Sequence, residues 1–158
     1  MTVVNDWNTK VVADDPIWVS VNVAARQLTH PGLVEIVKNA IAETGIEASS
    51  YMVIGTIASA PTQPEDRGRF AQQAAGQIPG LRDGRITMSE PLRIDGSPGY
   101  ETRVEATSGK ANTPVTVVQW LRFGSANQAL RIIASTPRDD WSKAFPRFRA
   151  VRDGIQPR

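Results

Sequence analysis

Catalysis needs reactive side chains in convergent positions, and this sequence supplies few of them. His30 is its single histidine, and it has no cysteine. Thiol catalysis, disulfides, cysteine metal sites and sites built from several histidines are therefore excluded. His30 with Asp14, Asp15 or Glu35 has the residue types of an acid–base pair or a metal site. Such a cluster would suit a small hydrolase. His30 also directly precedes Pro31, which fits a first helical position, so a loop or cap role accounts for it equally. Ser108 is followed by Gly109 but sits in a turn between strand-like runs, without the other flanks of a nucleophile elbow. Ser97 lies in the turn-forming run Gly96-Ser97-Pro98-Gly99, and those glycines open no helix that could cradle phosphate. No catalytic residue, metal ligand or cofactor is assigned on these grounds.

Binding chemistry is better represented. Arg138, Lys143, Arg147, Arg149, Arg152 and Arg158 gather near the end of the chain, against Asp139, Asp140 and Asp153. An acidic protein partner or an anionic surface suits such a set, and so does the solvated side of an amphipathic helix. Trp120 and Trp141 fall on core-like patterns, whereas Trp18 opposes the apolar parity of its own run. Trp18 is thus either covered by a helix or presented as a contact. The candidate binding residues are Trp18, Lys143, Arg147, Arg149 and Arg152, for an unidentified protein or small ligand. Formal net charge is only +2, so the pI near 9.3 reflects a small excess rather than the dense basic stripe that nucleic acid asks for.

The elements that must position these residues follow from periodicity. Asp6-Trp7-Asn8 sits near a first short strand, Asp14-Asp15-Pro16 is a turn, and Ile17, Val19, Val21 and Val23 then alternate with polar or aromatic residues, predicting a strand. Leu33, Ile36, Val37, Ala40 and Ile41 have helical spacing, and Gly45 suits the stop. Residues 50–59 read as a strand with Met52 and Ile54 on one side and Tyr51, Val53 and Ile57 on the other. Pro64, Glu65 and Asp66 open a second helix with Phe70, Ala74 and Ile78 in line. Asp83-Gly84 predicts a turn. Ile86, Met88, Leu92 and Ile94 share one parity, predicting a long strand over 85–95 bent at Pro91.

Three more strand-like runs follow. In residues 100–106, Tyr100, Thr102, Val104 and Ala106 alternate with Glu101, Arg103 and Glu105, the pattern of a half-exposed strand with a charged outer side. Residues 115–123 carry bulk on both sides: Val115, Val117, Leu121 and Phe123 against Val118 and Trp120. Residues 129–135 do the same, with Leu130 and Ile132 against Ile133. Strands of this kind need cover on both faces, and the short links between them imply an antiparallel meander. A final helix follows, with Asp139 or Asp140 as its cap and Trp141, Phe145, Phe148, Val151 and Ile155 on one side. Pro146 within it predicts a kink or a split. The whole predicts one domain over 1–158, an α+β protein built as a three-layer α/β/α sandwich around a mainly antiparallel sheet.

The stretch from Pro91-Leu92-Arg93-Ile94-Asp95-Gly96-Ser97-Pro98-Gly99-Tyr100 through the meander to Thr136-Pro137-Arg138-Asp139-Asp140-Trp141 and Phe145-Pro146-Arg147-Phe148 resembles the PsbP-like superfamily. That group includes photosystem II extrinsic subunits, a Ran-interacting nuclear import factor and bacterial envelope proteins of the DcrB and LpqN kinds. The resemblance covers about 65 residues in motif and the first 90 in element order. It implies an α/β/α sandwich and a non-enzymatic role in binding or assembly, in a bacterial envelope. It carries over no functional residue. No apolar run reaches the length of a membrane span. The run Met1-Thr2-Val3-Val4-Asn5-Asp6 has no basic start or apolar stretch. A periplasmic or secreted product of leader removal is the favoured expectation, with the cytoplasm as the alternative.

Overall fold

The computed structural model describes residues 50–109, 112–125 and 127–155. The expectations for the strands and helix before residue 50, and for Trp7, Trp18 and His30 with Asp14, Asp15 and Glu35, lie outside the described residues. Seven principal elements remain: β1 (Tyr51–Ala58), α1 (Arg67–Gly76), β2 (Leu81–Ile94), β3 (Ser97–Ser108), β4 (Pro114–Phe123), β5 (Gln128–Pro137) and α2 (Trp141–Gly154). One-turn 3-10 segments, Pro64–Asp66 and Arg138–Asp140, lead into the two helices.

The five strands form one sheet in the order β1-β5-β4-β3-β2, with every pairing antiparallel. Strands β2 to β5 are the expected meander. The β2–β3 hairpin turns on Asp95 (φ 49) and Gly96 (φ 74), so both central residues are left-handed, as the tightest hairpin turn requires. Ser97 therefore begins a strand rather than lying in the turn. Chain β1 enters at one edge, and α1 carries the chain over to β2 at the other.

Strand β4 explains the three layers. Its odd residues Val115, Val117, Leu121 and Phe123 cluster with Ala71 and Ala75 of α1, and its even residues Val118 and Trp120 cluster with Ala144 and Phe148 of α2. The helices thus lie on opposite faces, as the two-sided hydrophobic pattern predicts. Helix α1 buries mainly alanines, Ala71, Ala74 and Ala75, so its axis can approach the sheet closely. Gly68 belongs to the same contact: a Cβ there would stand 2.9 Å from the Tyr100 hydroxyl.

Strand β2 departs from expectation in two places. Asp83-Gly84 is not a turn but an irregularity inside the strand, where the register shifts between Arg82 and Arg85. The second shift falls between Ile86 and Met88, leaving Thr87 as the extra residue of a bulge, and Pro91 stays paired with Tyr100. The bulge answers the shared parity of the apolar residues. Ile86 pairs with Val104 on the α1 side, whereas Leu92 and Ile94 join the α2 cluster. One extra residue moves every later side chain to the other face. Pro91 stands on an edge strand among the described residues, the place in a sheet where proline is tolerated.

Helix α2 is continuous through Pro146, neither split nor ended there. Pro146 and Ser142, whose carbonyl loses its helical partner, are both exposed, so water can replace that bond. Asp140 occupies the cap position without a side-chain hydrogen bond, and the acidic pair instead sits in the preceding 3-10 turn. The inward stripe is Trp141, Ala144, Phe145, Phe148, Arg152 and Ile155. Val151 is 43% exposed, and Arg152, at 7%, occupies the inner position.

Candidate functional site at the β3–α2 seam

The charged side of β3 is not the wet side. Glu101 stands directly opposite Trp120 in the β3–β4 register, and α2 closes over both, leaving Glu101 8% exposed. A buried indole needs an acceptor for its N–H, and Trp120 Nε1 donates to Glu101 Oε2 at 2.8 Å. The other oxygen, Oε1, accepts from Arg103 Nε at 2.8 Å and meets Arg103 Nη2 at 2.8 Å. Arg152 reaches in from α2, with Nη1 3.9 Å from Glu101 Oε2. Arg152 also holds its neighbour Asp153 through Nε and Nη2, at 2.7 and 2.6 Å from Oδ1. One carboxylate thus ties together two strands and the helix.

Aromatic rings surround this knot. Phe145 stacks on Trp141 at 4.6 Å and on Trp120 at 6.1 Å between centroids. The Arg103 guanidinium lies over Phe145 at 4.5 Å and over Trp141 at 5.3 Å, and Arg152 lies 5.0 Å over Trp120. Arg149 approaches Phe145 at 5.9 Å. These are cation–π distances. Further along the same side, Glu105 meets Arg85 at 3.1 Å and Arg138 at 3.9 Å.

A second polar group sits under α1. Arg131 Nε donates to Gln119 Oε1 at 2.9 Å, and Arg131 Nη2 donates to the Ala74 carbonyl at 2.7 Å. Gln119 Nε2 donates in turn to the Ala71 carbonyl at 3.0 Å. Desolvation pushes the Arg131 guanidinium below its ordinary value. These bonds meet carbonyls of the α1 backbone and fix the helix to β4 and β5.

The sequence-based binding candidates separate here. Lys143, Arg147 and Arg149 are exposed on α2, while Arg152 is buried in the Glu101 knot and is not part of an outward basic face. Trp18 lies outside the described residues. Ser108 is buried at the end of β3, where its Oγ accepts the Thr113 N–H at 3.3 Å and its own N–H bonds the Thr113 carbonyl, closing the hairpin. Among the described residues, no group of three His, Cys, Asp or Glu is placed to hold a metal ion, and no helix is long and apolar enough to cross a membrane. Periodicity missed Glu101. The available signal was Arg152, four residues after Phe148 on the apolar side of a helix, where a cation requires a buried partner.

No protein-family model matches the sequence, and no curated protein matches it. Solved structures align with it, and one named here does so with a TM-score above 0.5. PA94 of Pseudomonas aeruginosa, a protein of unknown function, superposes with a TM-score of 0.53 at 17% identity, over 69% of this chain and 73% of that one. Cyanobacterial PsbP of Synechocystis aligns at 0.45 and 17% identity, over 65% of this chain and 62% of its own. LpqN of Mycobacterium tuberculosis, involved in cell envelope biogenesis, aligns at 0.46 and 16%, over 67% of this chain and 60% of its own. The chain therefore spans less than two thirds of these last two. It is an α+β protein with a layered antiparallel sheet. That fold is shared with PA94.

Proposed function

We propose that this chain is a non-catalytic binding or accessory module that engages an acidic segment of a protein partner through the outer side of α2. The observation that carries this reading is the division of labour on that helix. Its inner side is fixed by fully buried Phe148 and by Arg152 at Glu101. Its outer side presents Lys143, Arg147 and Arg149 to water along the middle turns. The acidic residues of the same region lie at the two ends, Asp139 and Asp140 before the helix and Asp153 bonded to Arg152 near its close. A rigid helix with cations at its centre is electrostatically complementary to a carboxylate-rich chain.

The test is the anisotropy of fluorescein-labelled hexaglutamate titrated with the full chain in low salt. Saturable binding that weakens as salt rises, and is lost in the double variant Lys143→Glu/Arg147→Glu with an unchanged melting curve, is the expected result. Equal binding by wild type and double variant, or none by either, would reject the reading.

A further inference from the structure

We propose that Arg103 and Arg149, flanking Phe145 at the β3–α2 seam, form the point that grips a carboxylate of the acidic segment. This deepens the function proposed above and rests on it.

Arg103 is oriented before any partner arrives. Glu101 fixes Nε and Nη2 on one side, and Phe145 and Trp141 lie against the guanidinium face. A guanidinium carries five N–H donors, of which Glu101 takes two. The Arg103 side chain remains 30% exposed. A planar donor already held in place loses little freedom when it binds, and it offers a carboxylate paired, charge-assisted hydrogen bonds. Arg149 is exposed and approaches the same Phe145 ring at 5.9 Å, bringing a second cation to the spot.

Three of the nearby anions among the described residues are already held, while exposed Glu90 stands opposite Glu101 in the β2–β3 register. Glu101 is held by Arg103 and Trp120, Glu105 by Arg85 and Arg138, and Asp153 by Arg152. Among the described residues, these held carboxylates leave Arg149 and the remaining donors of Arg103 facing an incoming anion, with Glu90 as a competitor at the β2 edge. Half-buried Trp141 and Phe145, with Met88 opposite Arg103 in the β2–β3 register, provide an apolar bed for the methylenes of a peptide. Aromatic residues, Met and Arg are the types enriched at the centres of interfaces.

The hexaglutamate titration decides, using the full-length chain and the single variants Arg103→Lys and Arg149→Ala. Arg103→Lys preserves the charge but removes the planar fork, so roughly tenfold weaker binding is expected. Arg149→Ala alters only an exposed side chain and is expected to weaken binding by a similar factor with no change in melting. It decides the matter even where Arg103→Lys melts early. Both variants within twofold of wild type, while the Lys143→Glu/Arg147→Glu double variant loses binding, would overturn this site and leave the helix reading standing. Absence of binding by the wild type would overturn both, as would binding to phosphatidylglycerol vesicles but not to hexaglutamate.

Discussion

Glu101 is the residue on which the α2 side depends. It accepts from an indole and a guanidinium, with a second guanidinium beside it, in a place where water is nearly excluded. Replacing it with Gln keeps an acceptor for Trp120 but leaves Arg103 and Arg152 without their shared anion. Arg103 can turn to water and Arg152 retains Asp153, so the expected loss is about 2 kcal/mol, below the value for a pair left wholly unmatched. Urea denaturation measures it, and a change under 0.5 kcal/mol would show that the knot contributes little. Little of this was legible in the sequence. Glu101 and Arg103 alternate with apolar residues in the way of a solvent-facing edge, and alternation reports parity, not what covers a face. Only the tertiary placement of α2 turns that side inward.

At the scale of elements, most of the described fold was legible because strand and helix periods are strong where both faces are buried. The sides of β4 and β5 and the meander are as the residue pattern dictates. Two of the readings that failed did so for particularly clear reasons. A bulge is invisible to parity, since Thr87 resembles any other strand residue, and so Ile86 and Leu92 seemed to share a side they do not share. On α2, Val151 and Arg152 compete for the same inward angle. Hydrophobicity favours Val151, while the buried carboxylate selects Arg152. Two truncations check the assignment by chemical denaturation. Phe148→Ala empties a fully buried position and should cost roughly 3–5 kcal/mol. Val151→Ala, on the exposed side, should stay within about 0.5 kcal/mol. Comparable losses at both would mean that α2 is rotated from the position described.

Taken as a whole, the described residues form a sheet roofed by two helices of different character. Helix α1 lies close on alanines and is tied down by Arg131 and Gln119 through its carbonyls. Helix α2 is fixed by aromatic rings and one carboxylate, and its outer turns carry cations into water. Function was less legible than fold, because the proposed binding through charge leaves no motif of fixed spacing. The outward residues Lys143, Arg147 and Arg149 were recoverable from helical spacing, whereas Arg103 was not, since its availability depends on how Glu101 and Phe145 hold it. Hydrogen–deuterium exchange of the full chain, with and without saturating hexaglutamate, tests the central claim most directly. Added protection concentrated in residues 138–155 and 100–105 is the predicted result. Protection confined to α1 and the β1 edge, with α2 unchanged, would contradict the assignment of the binding surface.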